Sequence, residues 1–232
     1  MIQPLPTLLA RAKRKGHPLL LCEVSCVEQI QGCLAAAVEL NVAVALTLSA
    51  GTAHQFVALE SLLPLATLLA ETTTVGIGVE VRLTTPLLGK VSALPSGQSL
   101  AVTLPSMASL EGLSGDLIAS CVSLPAAKLA ASEFLALRVP AQLARIGLVE
   151  AVRELKRPLI LEEATLTPAR LKSIAQSGVS GISLANQIHA SFTAGVRAAL
   201  RDRELSEPAG YLARGQTAVR ERVKTYLQYL ET

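Results

Sequence analysis

The chain has no tryptophan and only three phenylalanines and three tyrosines in 232 residues. The aromatic platforms on which single-stranded nucleic acid stacks are therefore missing. Charge of one sign is missing too, because 21 Lys and Arg against 18 Asp and Glu leave +3, too little for recognition of a phosphate backbone. No nucleic-acid partner is expected. The basic residues gather locally, as Arg11, Lys13, Arg14 and Lys15 and again as Arg201, Arg203, Arg220, Arg222 and Lys224 among acids. Both groups read as solvated helix faces rather than anion-binding surfaces.

Cysteine is scarce. Cys22, Cys26, Cys33 and Cys121 show no paired metal-ligand spacing and no histidine at a zinc-finger interval, so reduced, mostly buried thiols are expected. Apolar residues precede the first basic cluster, the reverse of a secretory signal, and the expected address is cytoplasmic. A long unbroken apolar run is also absent. The uncharged stretch between Glu39 and Glu60 is interrupted by Asn41, Thr47, Ser49, Gly51, Thr52, His54 and Gln55, whereas a spanning helix needs about 20 predominantly apolar residues. No membrane partner is expected.

What remains is half hydrophobic and only 17% charged, which excludes disorder and suits one domain over residues 1–232 with a large core. Eight short apolar or β-rich runs recur: Leu19 to Val24, Val42 to Ser49, Val75 to Arg82, Leu100 to Leu104, Leu117 to Ser123, Phe134 to Val139, Pro158 to Glu162 and Gly181 to Ala185. Helical periodicity fills Val27 to Leu40, Gln55 to Ala70, Ala141 to Lys156 and Pro168 to Ser177 between them. Thr167-Pro168 supplies an N-cap and first-turn proline, and Gly178 a C-terminal stop. After the eighth strand, Ile188 to Arg203 and Ala209 to Leu230 read as helices. This rhythm predicts an α/β fold, a compact (β/α)8 TIM barrel with an extended C-terminal helical region. A doubly wound sheet is the alternative, though no glycine-rich nucleotide fingerprint accompanies it.

Strands buried on both faces should be apolar, so ionisable residues at their C-terminal ends need a reason. Glu23 ends the first strand, Ser49 the second, Glu80 and Arg82 the third, Arg138 the sixth and Glu162 and Glu163 the seventh, and Asn186 follows the eighth. In a barrel these converge on one mouth. Glu80 and Arg82, two apart, face the same side of the sheet. One reading is a salt-bridge plug closing the barrel top. The other is a pocket in which Arg82 or Arg138 holds a phosphate or carboxylate, with Glu23, Ser49, Glu163 and Asn186 around it, while Glu80 or Glu162 moves a proton. A carboxylate metal site from Glu23, Glu80 and Glu162 would have to compete with the arginines. No lysine lies on a strand for Schiff-base chemistry, and His17, His54 and His189 form no ligand pattern.

The order of these segments resembles the class II ketose-bisphosphate aldolases, zinc-dependent (β/α)8 enzymes. Leu8 to Ile30 resembles their opening helix, first strand and Glu-Gln-Ile helix start; Ala43 to Gly51 their second strand and Ser-x-Gly turn. Pro158 to Leu200 resembles the seventh and eighth units, and Pro208 to Leu230 the closing Tyr-Leu helix. The family's Asp-His at the end of the third strand meets Arg82-Leu83 here, and its His-Gly after the seventh meets Glu162-Glu163. Its zinc histidine after the sixth strand has no counterpart near Arg138-Val139-Pro140. Its Asn-x-x-Thr phosphate site is matched only by Ser183 and Asn186, and Ser49 persists.

The resemblance thus implies an aldolase scaffold without the zinc ligands or the catalytic Asp. No cofactor, zinc included, is expected. The expected role is a non-catalytic binding, regulatory or assembly component that meets a sugar phosphate or other small anion and forms a homo-oligomer or pairs with an aldolase. The alternative is an enzyme with a rewritten Glu/Arg site.

Overall fold

A computed structural model describes residues 1–50, 53–84, 98–103, 116–120, 135–140, 157–162, 167–202 and 204–231. Eight parallel strands follow one another around the sheet: β1 Leu19–Glu23, β2 Val44–Ala50, β3 Ile77–Thr84, β4 Gln98–Thr103, β5 Asp116–Ser120, β6 Ala136–Pro140, β7 Leu159–Glu162 and β8 Gly181–Leu184. β1 is hydrogen-bonded to β8 as well as to β2, with Leu20 opposite Ile182 on one side and Val44 on the other. The sheet curls round on itself, which excludes the doubly wound alternative. All eight expected strands are present with bounds shifted by a few residues.

The described helices are α1 Leu5–Lys15, α2 Val27–Leu40, α3 Ala53–Glu71, α4 Pro168–Gln176, α5 Asn186–Ala199 and α6 Pro208–Glu231. At α4 the Thr167 hydroxyl accepts from the Arg170 backbone N–H at 3.2 Å, and Gly178 takes a φ of 83° just beyond the helix. The punctuation read from sequence is in place. The expected helix Ala141 to Lys156 lies outside the described residues. Among the described residues no helix is long and apolar enough to cross a membrane.

Period-two alternation sorts each strand's side chains into two cores. Outward-facing Leu20, Cys22, Val44, Leu46, Val79 and Val81 pack with Ile30, Cys33, Ala66, Val219 and Val223 of the surrounding helices. Inward-facing Leu19, Leu21, Ala45, Ile118, Ala136 and Ile160 pack with Leu5, Leu8, Leu9 and Ala12 of α1. α1 therefore closes the end of the barrel where the strands begin. Two glycines let it approach: a Cβ on Gly78 would lie 3.2 Å from Leu8 Cδ1, and one on Gly181 would lie 2.8 Å from Leu21 Cδ1 and 3.0 Å from Leu9 Cδ2.

The C-terminal helix α6 packs against α2 and α5. Of its basic residues, Arg220 and Lys224 both meet Glu39 and Glu221. Cys22, Cys26 and Cys33 are free thiols, two buried and one half-buried; Cys121 lies outside the described residues. The hydrogen bond with Cys22, and then burial, push the Cys33 thiol well above its ordinary value of 9.0.

Two outcomes are expected. Leu9→Ala, at a fully buried site, should lower unfolding stability in urea by about 2–5 kcal/mol. Because Cys33 stays protonated in the fold while the unfolded thiol ionises, its contribution is intact below pH 9.0 and erodes as pH rises beyond it. The stability advantage of the native chain over Cys33→Ala, followed by denaturant titration across that range, should shrink accordingly.

Candidate functional site

Above the apolar layer held by α1, the inward positions turn polar. The register places Thr47 beside Glu80, Glu80 beside Ser99, Ser120 beside Arg138 and Glu162 beside Ser183. One step nearer the mouth, Ser49 stands beside Arg82. Glu80 and Arg82 do share a side of the sheet, as their spacing predicts.

The side chains form one connected network. Glu80 Oε2 accepts from Thr47 Oγ1 at 2.6 Å and from Arg138 Nη2. Arg138 Nη1 stands 3.5 Å from Glu162 Oε1, which also accepts from Arg82 Nη1, and Arg82 Nη1 lies 3.7 Å from Glu23 Oε2. Glu80 and Arg138 are 0% exposed, whereas Glu23, Arg82 and Glu162 are partly open to solvent. The network thus runs from the middle of the barrel to its rim. Burial alone would lower the pKa of the Arg138 guanidinium, but Glu80, Glu162 and Glu23 outweigh it and raise the group above its ordinary range. A raised value means Arg138 stays charged through acid and neutral pH, and its pairing is lost only when pH climbs past the ordinary guanidinium range.

The structure brings together five of the residues singled out in the sequence: Glu23, Glu80, Arg82, Arg138 and Glu162. Ser49 is half-buried next to them, with its hydroxyl unpaired among the described residues. Asn186 is the first residue of α5, exposed, and makes none of the network's contacts. Glu163 and the side chain of His54 lie outside the described residues. His17 is at the opposite end of the barrel, and His189 Nδ1 lies 3.3 Å from Gln29 Nε2, whose Oε1 accepts from Ser25 N–H.

Residue-by-residue reading missed Thr47, Ser99 and Ser120. Thr47 had a signal, two positions before Ser49 on a strand that alternates. Ser99 and Ser120 sit in short segments without flanking charge. Together with Ser49, Ser183, Glu80 Oε1 and Arg138 Nε they leave six buried polar atoms without a partner among the described residues. Dry, each would cost about 1–3 kcal/mol.

Zinc, which the aldolase resemblance implies, does not fit these donors. Among the described residues no group of three or more His, Cys, Asp or Glu side chains could hold a metal ion. Glu23, Glu80 and Glu162 each face a guanidinium within ion-pair distance, and a cation would have to displace it.

No family model and no curated protein matches the sequence. The fold does match solved structures. The YdjI aldolase of Escherichia coli K12 superposes with a TM-score of 0.81 at 17% identity, covering 99% of this chain and 97% of that one. The fructose-bisphosphate aldolase of Campylobacter jejuni does so with a TM-score of 0.74 at 14% identity, covering 98% and 94%. The chain has the fold of these aldolases.

Breaking the buried pair from one side should be severe. Arg138→Met or Glu80→Leu alone leaves an uncompensated buried group, with an expected loss of about 3–5 kcal/mol, while Glu80→Leu/Arg138→Met together should recover most of it. Chemical denaturation of the four proteins measures this coupling.

Proposed function

We propose that the chain is a single-domain (β/α)8 barrel of class II aldolase descent, whose mouth binds but does not cleave. In this reading it is a non-catalytic binding, regulatory or assembly component. One observation carries it: both carboxylates placed for acid–base work are occupied, Glu80 by Arg138 and Glu162 by Arg82. A general base must be free to reach a substrate proton, and aldol cleavage further needs an electrophile to stabilise the enediolate. The pairing of Glu80 and Glu162 with guanidinium groups supports a mouth without a free base.

A second reading is favoured by the unpaired interior hydroxyls. Arg82, open to solvent on one side, would receive the phosphate or carboxylate of a sugar-like substrate, and Glu162 would act as base once released from it. Turnover separates the two.

Self-association or pairing with an aldolase belongs to the first reading. It is supported by α3, which exposes Val57 at 62% and Leu68 at 57%.

Purified protein incubated with fructose or tagatose bisphosphate, with and without added zinc, should release no triose phosphate. Zinc-dependent release would overturn the first reading; zinc-independent turnover abolished by Glu162→Gln would establish the second.

A further inference from the structure

At the end of the barrel opposite the mouth lies a cavity of about 650 Å³, within the size range of small-molecule sites. It is walled by α1, the chain entering β1, β2 and β3, and the last turns of α6. Its floor is apolar, formed by Leu8, Ala12 and Leu19, residues of the barrel's inner core. Its charged lining is of one sign. Arg11, Lys15 and His17 line it, and among the described residues no acidic side chain does.

Three details set these cations apart from an ordinary solvated face. Arg11 and Lys15 are four apart, so α1 presents both on one side, an arrangement of like charges that works against the helix. The C-terminal dipole of α1 is complemented by Lys13 and Arg14 as well as Lys15, so it does not account for Arg11. Neither Arg11 nor Lys15 has an ion-pair partner among the described residues, in contrast to Arg220 and Lys224 of α6. His17 is held in place, because its Nδ1 donates to the Leu230 carbonyl at 2.5 Å, leaving Nε2 as the ring's remaining polar atom. Gln3, also in the wall, has a buried Oε1 with no partner among the described residues.

We propose that this cavity is a binding site for a small organic anion, a carboxylate or phosphate carrying a short apolar body. The anionic end meets Arg11, Lys15 and His17, where a cleft lined by one sign of charge concentrates oppositely charged ligands and a guanidinium offers paired donors. The apolar body lies against the half-buried Val42 and Ala43, over Leu8, Ala12 and Leu19. Such a ligand bridges α1 to the chain entering the barrel and to the end of α6, far from the Glu–Arg mouth. The basic cluster that reads as a solvated face in the sequence is thereby divided, with Arg11 and Lys15 turned to the cavity.

Phenyl phosphate serves as the probe, titrated into the whole protein by isothermal calorimetry. Saturable binding is expected, weakening as NaCl is raised. The exposed positions tolerate alanine in a helix, so Arg11→Ala/Lys15→Ala should remain folded by circular dichroism yet bind about tenfold or more weakly. Arg11→Lys/Lys15→Arg should retain binding, and Lys172→Ala, at an exposed cation of α4 outside the cavity, should leave it unchanged. The proposal is overturned by no binding at millimolar phenyl phosphate, by binding indifferent to the double alanine change, or by an equal loss of binding on Lys172→Ala. Inorganic phosphate binding as tightly as phenyl phosphate would also overturn it, by removing the part given to the apolar floor.

Discussion

The pairing of Glu80 with Arg138 in the middle of the barrel is the constraint around which the rest is arranged. Two full charges withdrawn from water are tolerable only if each satisfies the other and both find further partners. Thr47 supplies one such partner, and Glu162 links the pair outward to Arg82 and Glu23. The polar layer must therefore sit above a dry one. That dry layer exists because Gly78 and Gly181 give α1 room to press Leu8 and Leu9 against the strands.

This layering separates the two ends of the molecule chemically. At the strand C-termini, cations and anions are interleaved and largely spend their charge on one another. At the strand N-termini the charged side chains lining the cavity are all basic and stand beside an apolar floor. Ligands suited to one end are poorly suited to the other: the mouth must exchange an internal partner for an external one, whereas the base has no internal carboxylate to displace among the described residues.

The fold was legible because its signals are local. Strand runs such as Leu19 to Val24 are bounded by turn-formers, and the Thr167, Pro168 and Gly178 punctuation acts within a few residues. The position of Glu80 and Arg82 on one face follows from strand periodicity alone. Their partners do not, since the sequence separation between Glu80 and Arg138 is spanned only once the sheet curls and brings β6 across from β3. The same holds at the base. The cluster at Arg11 to Lys15 looks uniform along the helix, and its division depends on where β1 to β3 begin and where α6 ends, information that no window around residue 13 contains. The place of Asn186 went unrealised for a related reason: a strand end points inward, but the first residue of the following helix need not.

The seat of α1 under the barrel has a consequence for the order of assembly. Leu9 belongs to α1, yet it lies against the position of Gly181, the first residue of the distant β8. The helix is synthesised well before β8, so its apolar side stays uncovered until that strand arrives. Such distant closure slows folding and prolongs exposure to aggregation, so α1 has to wait, its apolar face unpaired, for β8.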